Sequence, residues 1–192
     1  MVSLARKTAW ACALLLCSGG TMAQNGQLLR SGQAAVSFVS DAPMERIEAR
    51  TGQATAILDI TARSFAVQIP VGTFEGFNSP LQREHFMENY MQQPLHPNAI
   101  FKGRIIEAVD LTKPGTYRVR AKGDLLVHGV QRERIIECVL VVKEDGVTVD
   151  SSFEIELAEH EIRIPRVVQQ KVSPRVQVTV AIAFTPTAKR RR

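Results

Sequence analysis

The residues of this chain best suited to chemistry are its four histidines, His85, His96, His128 and His160. An imidazole can act as a general base, a proton shuttle or a metal ligand near neutral pH. Their spacing matches none of the local motifs that deliver such chemistry. Glu84-His85 lacks the second histidine of an H-E-x-x-H helix, and the sequence has no Cys-x-x-Cys. It also has no G-x-S-x-G nucleophile elbow and no glycine loop of the kind that cradles phosphate. Glu154 and Glu156 alternate with Phe153, Ile155 and Leu157, which puts the two carboxylates on the wet face of a strand, where they serve solubility. The sequence therefore predicts no catalytic residue, no metal site and no cofactor. An enzyme built on the histidines would need two or more of them to converge in space.

Cysteine and targeting signals bound the compartment. Arg6 and Lys7 precede the apolar run WACALLLC, and Thr21-Met22-Ala23 follows it, which is the grammar of a secretory signal peptide over residues 1–23. Leu16 stands before Cys17 where lipid attachment wants a small residue, so cleavage without lipidation is expected. No segment is long and apolar enough to span a bilayer as a helix. The expected location is the periplasm. Cys12 and Cys17 leave with the signal, so Cys138 has no partner for an intrachain disulfide. It alternates with Ile136, Leu140 and Val142 and reads as a buried, inert thiol.

The formal charge of +5 suggests an acidic partner until it is placed along the chain. Two of the 24 Lys and Arg lie in the signal and four in Lys189-Arg190-Arg191-Arg192, leaving 18 in the body against 19 acidic residues. A neutral body argues against nucleic acid as a partner. The basic tail, 189–192, reads as solvated, with transient contact with a membrane as its other use. Residues 24–188 form a single domain, with a loose arm over 24–32.

Period-two alternation dominates that domain. Val176, Val178, Val180, Ile182 and Phe184 interleave with polar or small residues, and the pattern recurs in 146–157 and 115–128. Eight strands are expected, over 34–40, 54–61, 64–71, 99–108, 115–128, 132–143, 146–157 and 174–185. Glu144-Asp145-Gly146 and His128-Gly129 serve as hairpin turns, and Gly123 provides a mid-strand bend. Long one-sided strands must stack or close, and closure removes exposed edges. The expected class is all-β, an eight-stranded antiparallel barrel. Its inward list is short of large aromatics, which leaves two readings open, a hollow barrel that takes a slender apolar ligand or a packed core.

One helix interrupts the strands. Ser79 can cap it, Pro80 suits its first turn, and Gln82 completes a capping box, while Pro94 and Pro97 stop it after Met91. Phe86, Met87, Tyr90 and Met91 fall together on its surface. A helix over about 80–91 with such a face would suit a lid over a barrel mouth.

The order of these pieces resembles the YceI-like family of exported, lipocalin-like proteins. The marks are Phe65 to Ile69 leading into Phe74, the helix with Glu84-His85-Phe86, Pro97-Asn98-Ala99-Ile100-Phe101, and the hairpin from Gly123 to Val130. Val147 to Leu157, Glu159 to Ile164 and the last alternating strand follow. The first strand departs from the family pattern, with Ala35-Val36-Ser37-Phe38 and Asp41-Ala42 where the family carries histidines. The resemblance implies a binding or carrier protein for an isoprenoid or other long-chain amphiphile, the alternative being a non-enzymatic stress-response or interaction module with a packed barrel. The expected ligand-binding residues are Phe65, Val67, Ile69, Phe86, Tyr90, Phe101, Tyr117, Val119, Phe153, Val178, Val180 and Phe184. Arg83, Lys102, Arg104 and Arg166 are the head-group candidates, with Arg163 and Lys171 beside them near the barrel mouth. The partner is then a long-chain apolar ligand, with no nucleic acid, and a homodimer is compatible with the sequence.

Overall fold

The computed structural model describes residues 27–186. The expected signal peptide (1–23) and basic tail (189–192) lie outside the described residues.

The described chain forms nine strands, β1 (Leu28–Asp41), β2 (Arg46–Thr51), β3 (Thr55–Asp59), β4 (Ser64–Pro70), β5 (Asn98–Ile105), β6 (Gly115–Val127), β7 (Val130–Lys143), β8 (Gly146–Glu156) and β9 (Arg175–Pro186). Each of β3 to β8 pairs antiparallel with the next. The ring closes through β1. One edge of β1 runs along β9 from Leu29↔Pro186 to Val39↔Gln177, and Leu28 to Arg30 on its other edge pair with β3. Eight strands thus form a closed antiparallel barrel.

β2 is the strand that the sequence reading missed. It pairs with the upper half of β1, from Val36↔Thr51 to Asp41↔Arg46, and Arg50 N–H donates to Glu75 O on its far side. Its apolar signal is weak because Ile47, Ala49 and Thr51 face inward, and only one of them is large. The expected loose arm also ends earlier than 32. β1 starts at Leu28, Leu29 is buried against the barrel, and a bulge between Ser31 and Gln33 shifts the register with β9 near Gly32, between the parts of the other edge that pair with β3 and with β2.

The inward faces follow the alternation, with Val178, Ile182 and Phe184 of β9 and Val119, Ala121 and Leu125 of β6 buried. Gly103 and Gly123 face each other across β5 and β6, where a Cβ on either would collide with the Lys122 or Lys102 backbone carbonyl. The pair permits the close approach that bends both strands into a barrel corner. His128 and Gly129, both at positive φ (51° and 74°), make the two-residue β6–β7 turn.

The two ends of the barrel differ. At one, the 106–114 loop buries Leu111 in the main core and closes the bottom. At the other, a helix and the 157–174 connection fold over the opening. The helix is not the uniform three-turn element expected. α1 spans Pro80–His85 and widens into a π turn over Phe86–Tyr90, in which Met91 N–H donates to Phe86 O at 2.9 Å. Its start is as expected, since Ser79 Oγ accepts from Gln82 N–H at 3.2 Å. Gln82 Oε1 reaches back to Asn78 N–H at 3.0 Å, one residue before the cap itself.

Candidate functional site

Two spaces lie inside the barrel. The larger, about 440 Å³, opens at the helix end, beneath α1 and the 157–174 connection. The smaller, about 90 Å³, lies toward the closed end and is lined by side chains such as Leu58, Val119, Ala121 and Leu140. Phe153 and Val180 line both and so form the partition between them. Along β9 the interior runs from Val176 at the mouth to Phe184 at the bottom. At ~3.3 Å per residue and a strand tilt of ~40°, that is a depth of roughly 20 Å.

The sequence-predicted lining divides between the chambers. Ile69, Phe86, Tyr90 and Val178 face the upper one; Phe65, Val67, Phe101, Val119 and Phe184 face the lower; Phe153 and Val180 touch both. The Phe65 and Phe101 rings pack with centroids 4.9 Å apart. Tyr117 lies apart from both spaces. Its hydroxyl donates toward the carbonyls of Lys113 (3.0 Å) and Asp110 (3.3 Å), so it ties down the bottom loop. Position along the barrel axis decides this, because Tyr117 is the third residue of β6, at its closed end.

Sequence reasoning missed the aromatic nest that holds the helix. Phe86 stacks on Phe38 at 5.2 Å between centroids and meets Phe77 at 5.1 Å and Phe74 at 5.9 Å. Phe74 and Phe77 belong to the FEGF run just before the cap. Their spacing there was a visible signal, as was Phe38 on the inward phase of its strand. The π turn carries Phe86 and Tyr90 onto the upper chamber, and Met91 is buried against Val71, Leu125 and Val127.

Most of the polar side chains that reach the two spaces stand at the mouth, Ser151 of the lower chamber being an exception. Glu45 Oε1 accepts from Gln82 Nε2 at 2.9 Å, and Ser40 Oγ accepts from Ser173 N–H at 2.9 Å, which pins the 157–174 connection to β1. Glu45, Gln82, His85 and Lys171 reach the upper space. Burial pushes the Tyr90 phenol above its ordinary value, which keeps the hydroxyl neutral.

The head-group candidates are placed unequally. Arg166 stands in a 3₁₀ turn (Arg166–Val168) beside Val168 and Lys171, both of which line the mouth. Arg83 is near the mouth but engaged, since its guanidinium donates to Phe74 O (3.1 Å) and Gly72 O (2.8 Å), anchoring the helix to the preceding loop. Lys102 and Arg104 are not at the mouth. They occupy the outward phase of β5, exposed on the barrel wall, with Arg104 Nη2 3.3 Å from Ala62 O near the closed end. Nearness in sequence to the helix suggested the mouth; strand alternation turns both side chains away.

Three of the four histidines do come together, beside the β6–β7 turn. The His96 and His128 rings meet edge to face with centroids 5.0 Å apart. His128 Nδ1 lies 3.1 Å from His160 O, and His160 Nδ1 lies 3.0 Å from Val130 O. A carbonyl accepts, so each Nδ1 carries the proton. His160 is fully buried, and burial lowers its pKa. Among the described residues no group of three or more His, Cys, Asp or Glu is arranged to hold a metal ion. The cluster joins a hairpin to the 3₁₀ turn Leu157–His160, and the neighbouring carboxylate, Glu159, is ion-paired with Arg134 at 2.7 Å. His85 stands apart at the mouth. Cys138 faces the lower chamber, and burial raises its thiol pKa, leaving a small neutral apolar group.

The family model described as YceI-like domain matches residues 29–184. Among solved structures, a polyisoprenoid binding domain from Saccharophagus degradans, implicated in plant cell wall breakdown, is similar at TM-score 0.70 and 13% identity, covering 84% of this chain and 99% of that one. BcnA of Burkholderia cenocepacia is similar at TM-score 0.64 and 18% identity, covering 78% of this chain and 95% of that one. The YCEI protein of Campylobacter jejuni follows at TM-score 0.54 and 8% identity, covering 74% and 86%. A comparison with curated proteins finds no match. At such identities the solved structures establish a shared fold, and the chemistry of this site has to be argued from its own residues.

Proposed function

The chain belongs to the YceI-like domain family, and from that premise we propose that it is an exported, non-catalytic carrier that buries an isoprenoid or other long-chain amphiphile in its barrel. The observation that carries the reading is the upper chamber, about 440 Å³ of space walled mainly by apolar side chains and open at one end beneath a helix. A void of this kind loses the contacts that its lining would otherwise make, and an apolar chain restores them. Burial of each methylene contributes about 0.8 kcal/mol before association costs, so a five-carbon unit contributes roughly 4 kcal/mol. The chain lies along the barrel axis, its leading end against Phe153 and Val180. Its polar head stays among Gln82, His85 and Lys171, with Arg166 beside them. Release then proceeds by the 80–91 helix lifting from the Phe38, Phe74 and Phe77 nest, and the signal-like pattern of residues 1–23 supports the periplasm as the compartment of this reading.

The test is uptake of a radiolabelled prenyl alcohol, measured by gel filtration, for the protein and for Ala99→Trp. Ala99 lines the mouth chamber at the start of β5. Co-elution of label with the protein, reduced at least tenfold in a folded Ala99→Trp variant, is the expected result. Absence of uptake of prenyl and fatty chains alike would turn the reading toward a packed interaction module.

A further inference from the structure

We propose that the mouth end of the barrel is a docking face for anionic phospholipid bilayers, with Met44, Leu81, Leu95 and Val167 entering the interface and Arg163, Arg166 and Lys171 meeting the headgroups. The purpose of such a face rests on the carrier reading, since a long apolar chain has to be drawn from a phase that dissolves it. Its existence does not.

Single exposed apolar side chains are ordinary on protein surfaces. Here their distribution is uneven. Val167, Leu95, Met44 and Leu81 are 90%, 73%, 69% and 58% exposed, whereas the other large exposed hydrophobics, Ile135, Ile106, Leu28 and Ile57, range from 55% down to 38%. The four most exposed all lie at the open end. Leu81 lines the upper chamber, and Val167 directly precedes Val168, which also lines it. Met44 N–H donates to Gln170 O, joining the β1–β2 turn to the 157–174 connection. Leu95 sits in the turn before Pro97, whose carbonyl accepts from Val71 N–H at the chamber wall. An apolar rim around a lipid-sized opening has the chemistry of an interfacial anchor.

Charge selects the kind of bilayer. From Ile162 to Ser173 the chain has three cations and no acid. Arg163, Arg166 and Lys171 make no ion pair or side-chain hydrogen bond among the described residues, while Arg46, Arg134 and Arg175 at the same end are paired with Asp41, Glu159 and Glu156. Glu84 and Glu88 are exposed on the helix, and Glu161 precedes the basic stretch. The headgroups therefore meet the 163–171 side, and Glu84, one helical turn after Leu81 on the same side of α1, opposes close approach of the helix to an anionic surface. A cation near an anionic membrane surface contributes about fivefold to binding, and salt weakens it.

Sedimentation of the full exported protein with vesicles of phosphatidylglycerol and phosphatidylethanolamine, against phosphatidylcholine alone, tests this. Binding is expected to the anionic vesicles and to weaken with salt. Arg166→Gln with Lys171→Gln should reduce it by about 25-fold. Val167→Asp should reduce it further, and Glu84→Gln with Glu88→Gln should leave it unchanged or raise it. The tail cations Lys189 to Arg192 are changed to glutamine in a separate variant. No binding to anionic vesicles would overturn the proposal. So would binding that disappears with the tail cations and ignores the rim substitutions. Prenyl alcohol delivered from cyclodextrin, without vesicles, separates the two ideas. Failed delivery with intact vesicle binding removes the carrier reading alone, and successful delivery without vesicle binding removes the docking face alone.

Discussion

Ala121→Leu separates a hollow barrel from a packed one because it should change stability and binding in opposite directions. Ala121 is buried on the inward face of β6 and lines the lower chamber. That chamber is about 90 Å³. At ~24 cal/mol per Å³, an unfilled volume of this size weakens the fold by about 2 kcal/mol. Three added carbons on residue 121 fill much of it, with some loss to imperfect fit against Ile105 and Ile136, its cross-strand neighbours. The ligand-free protein should gain about 1–2 kcal/mol, a rise in Tm of roughly 3–6 °C for a domain of this size. A chain long enough to pass Phe153 would lose the same space, which lowers its affinity by up to about 30-fold. Shorter chains, held in the upper chamber alone, should bind as before. Thermal unfolding of the ligand-free protein and titration with a series of prenyl alcohols of increasing length measure both effects. A fall in Tm would show that the lower space is already filled, and unchanged affinity across the whole series would show that no chain enters it.

Three further substitutions probe the same account. Phe153→Ala removes the partition, so the longest chain bound in a prenyl alcohol series should increase, with destabilisation of about 3 kcal/mol read from urea midpoints. Ser79→Ala removes the helix cap at a cost of about 1 kcal/mol, and ligand dissociation measured by stopped flow should speed up while the rest of the barrel keeps its amide-exchange protection. For His160 the folded pKa is depressed by burial, so the stability that it contributes is fully present above about pH 6.5 and is lost as pH falls through the lower folded value. Glu159 favours the protonated ring, while Arg132 and Arg134 oppose it; the difference in Tm between pH 7.5 and pH 5.5 should therefore shrink in His160→Phe, and an unchanged difference would remove His160 as its source.

Much of the barrel was legible because its strands bury one face against a single interior. Val176 to Phe184 and Tyr117 to Val127 show the alternation plainly, and the two-residue turns at 128–129 and 144–145 fix their register. β2 escaped because Ile47, Ala49 and Thr51 bury little apolar area, so the strand is held by its hydrogen bonds to β1 more than by a visible pattern. The extension of β1 to Leu28 escaped because Ser31, Gly32 and Gln33 read as a loop, while in the fold they form a bulge within one continuous strand. In the site, alternation separated inward from outward but gave no coordinate along the barrel axis. Tyr117 therefore joined the expected lining although it sits at the plugged end. Lys102 and Arg104 were drawn to the mouth by their distance in sequence from the helix, when the phase of β5 sends them outward. The meeting of His96, His128 and His160 depends on where three separate loops end, which no local spacing records.

The most direct test of the central claim is the intact mass of the protein, purified under mild conditions from the cells that produce it, before and after extraction with organic solvent. The carrier account predicts a discrete additional mass that is lost on extraction and identifies as an isoprenoid or other long-chain compound. A mass equal to that of the polypeptide alone, with no mass gained on later exposure to lipid extracts, would contradict it.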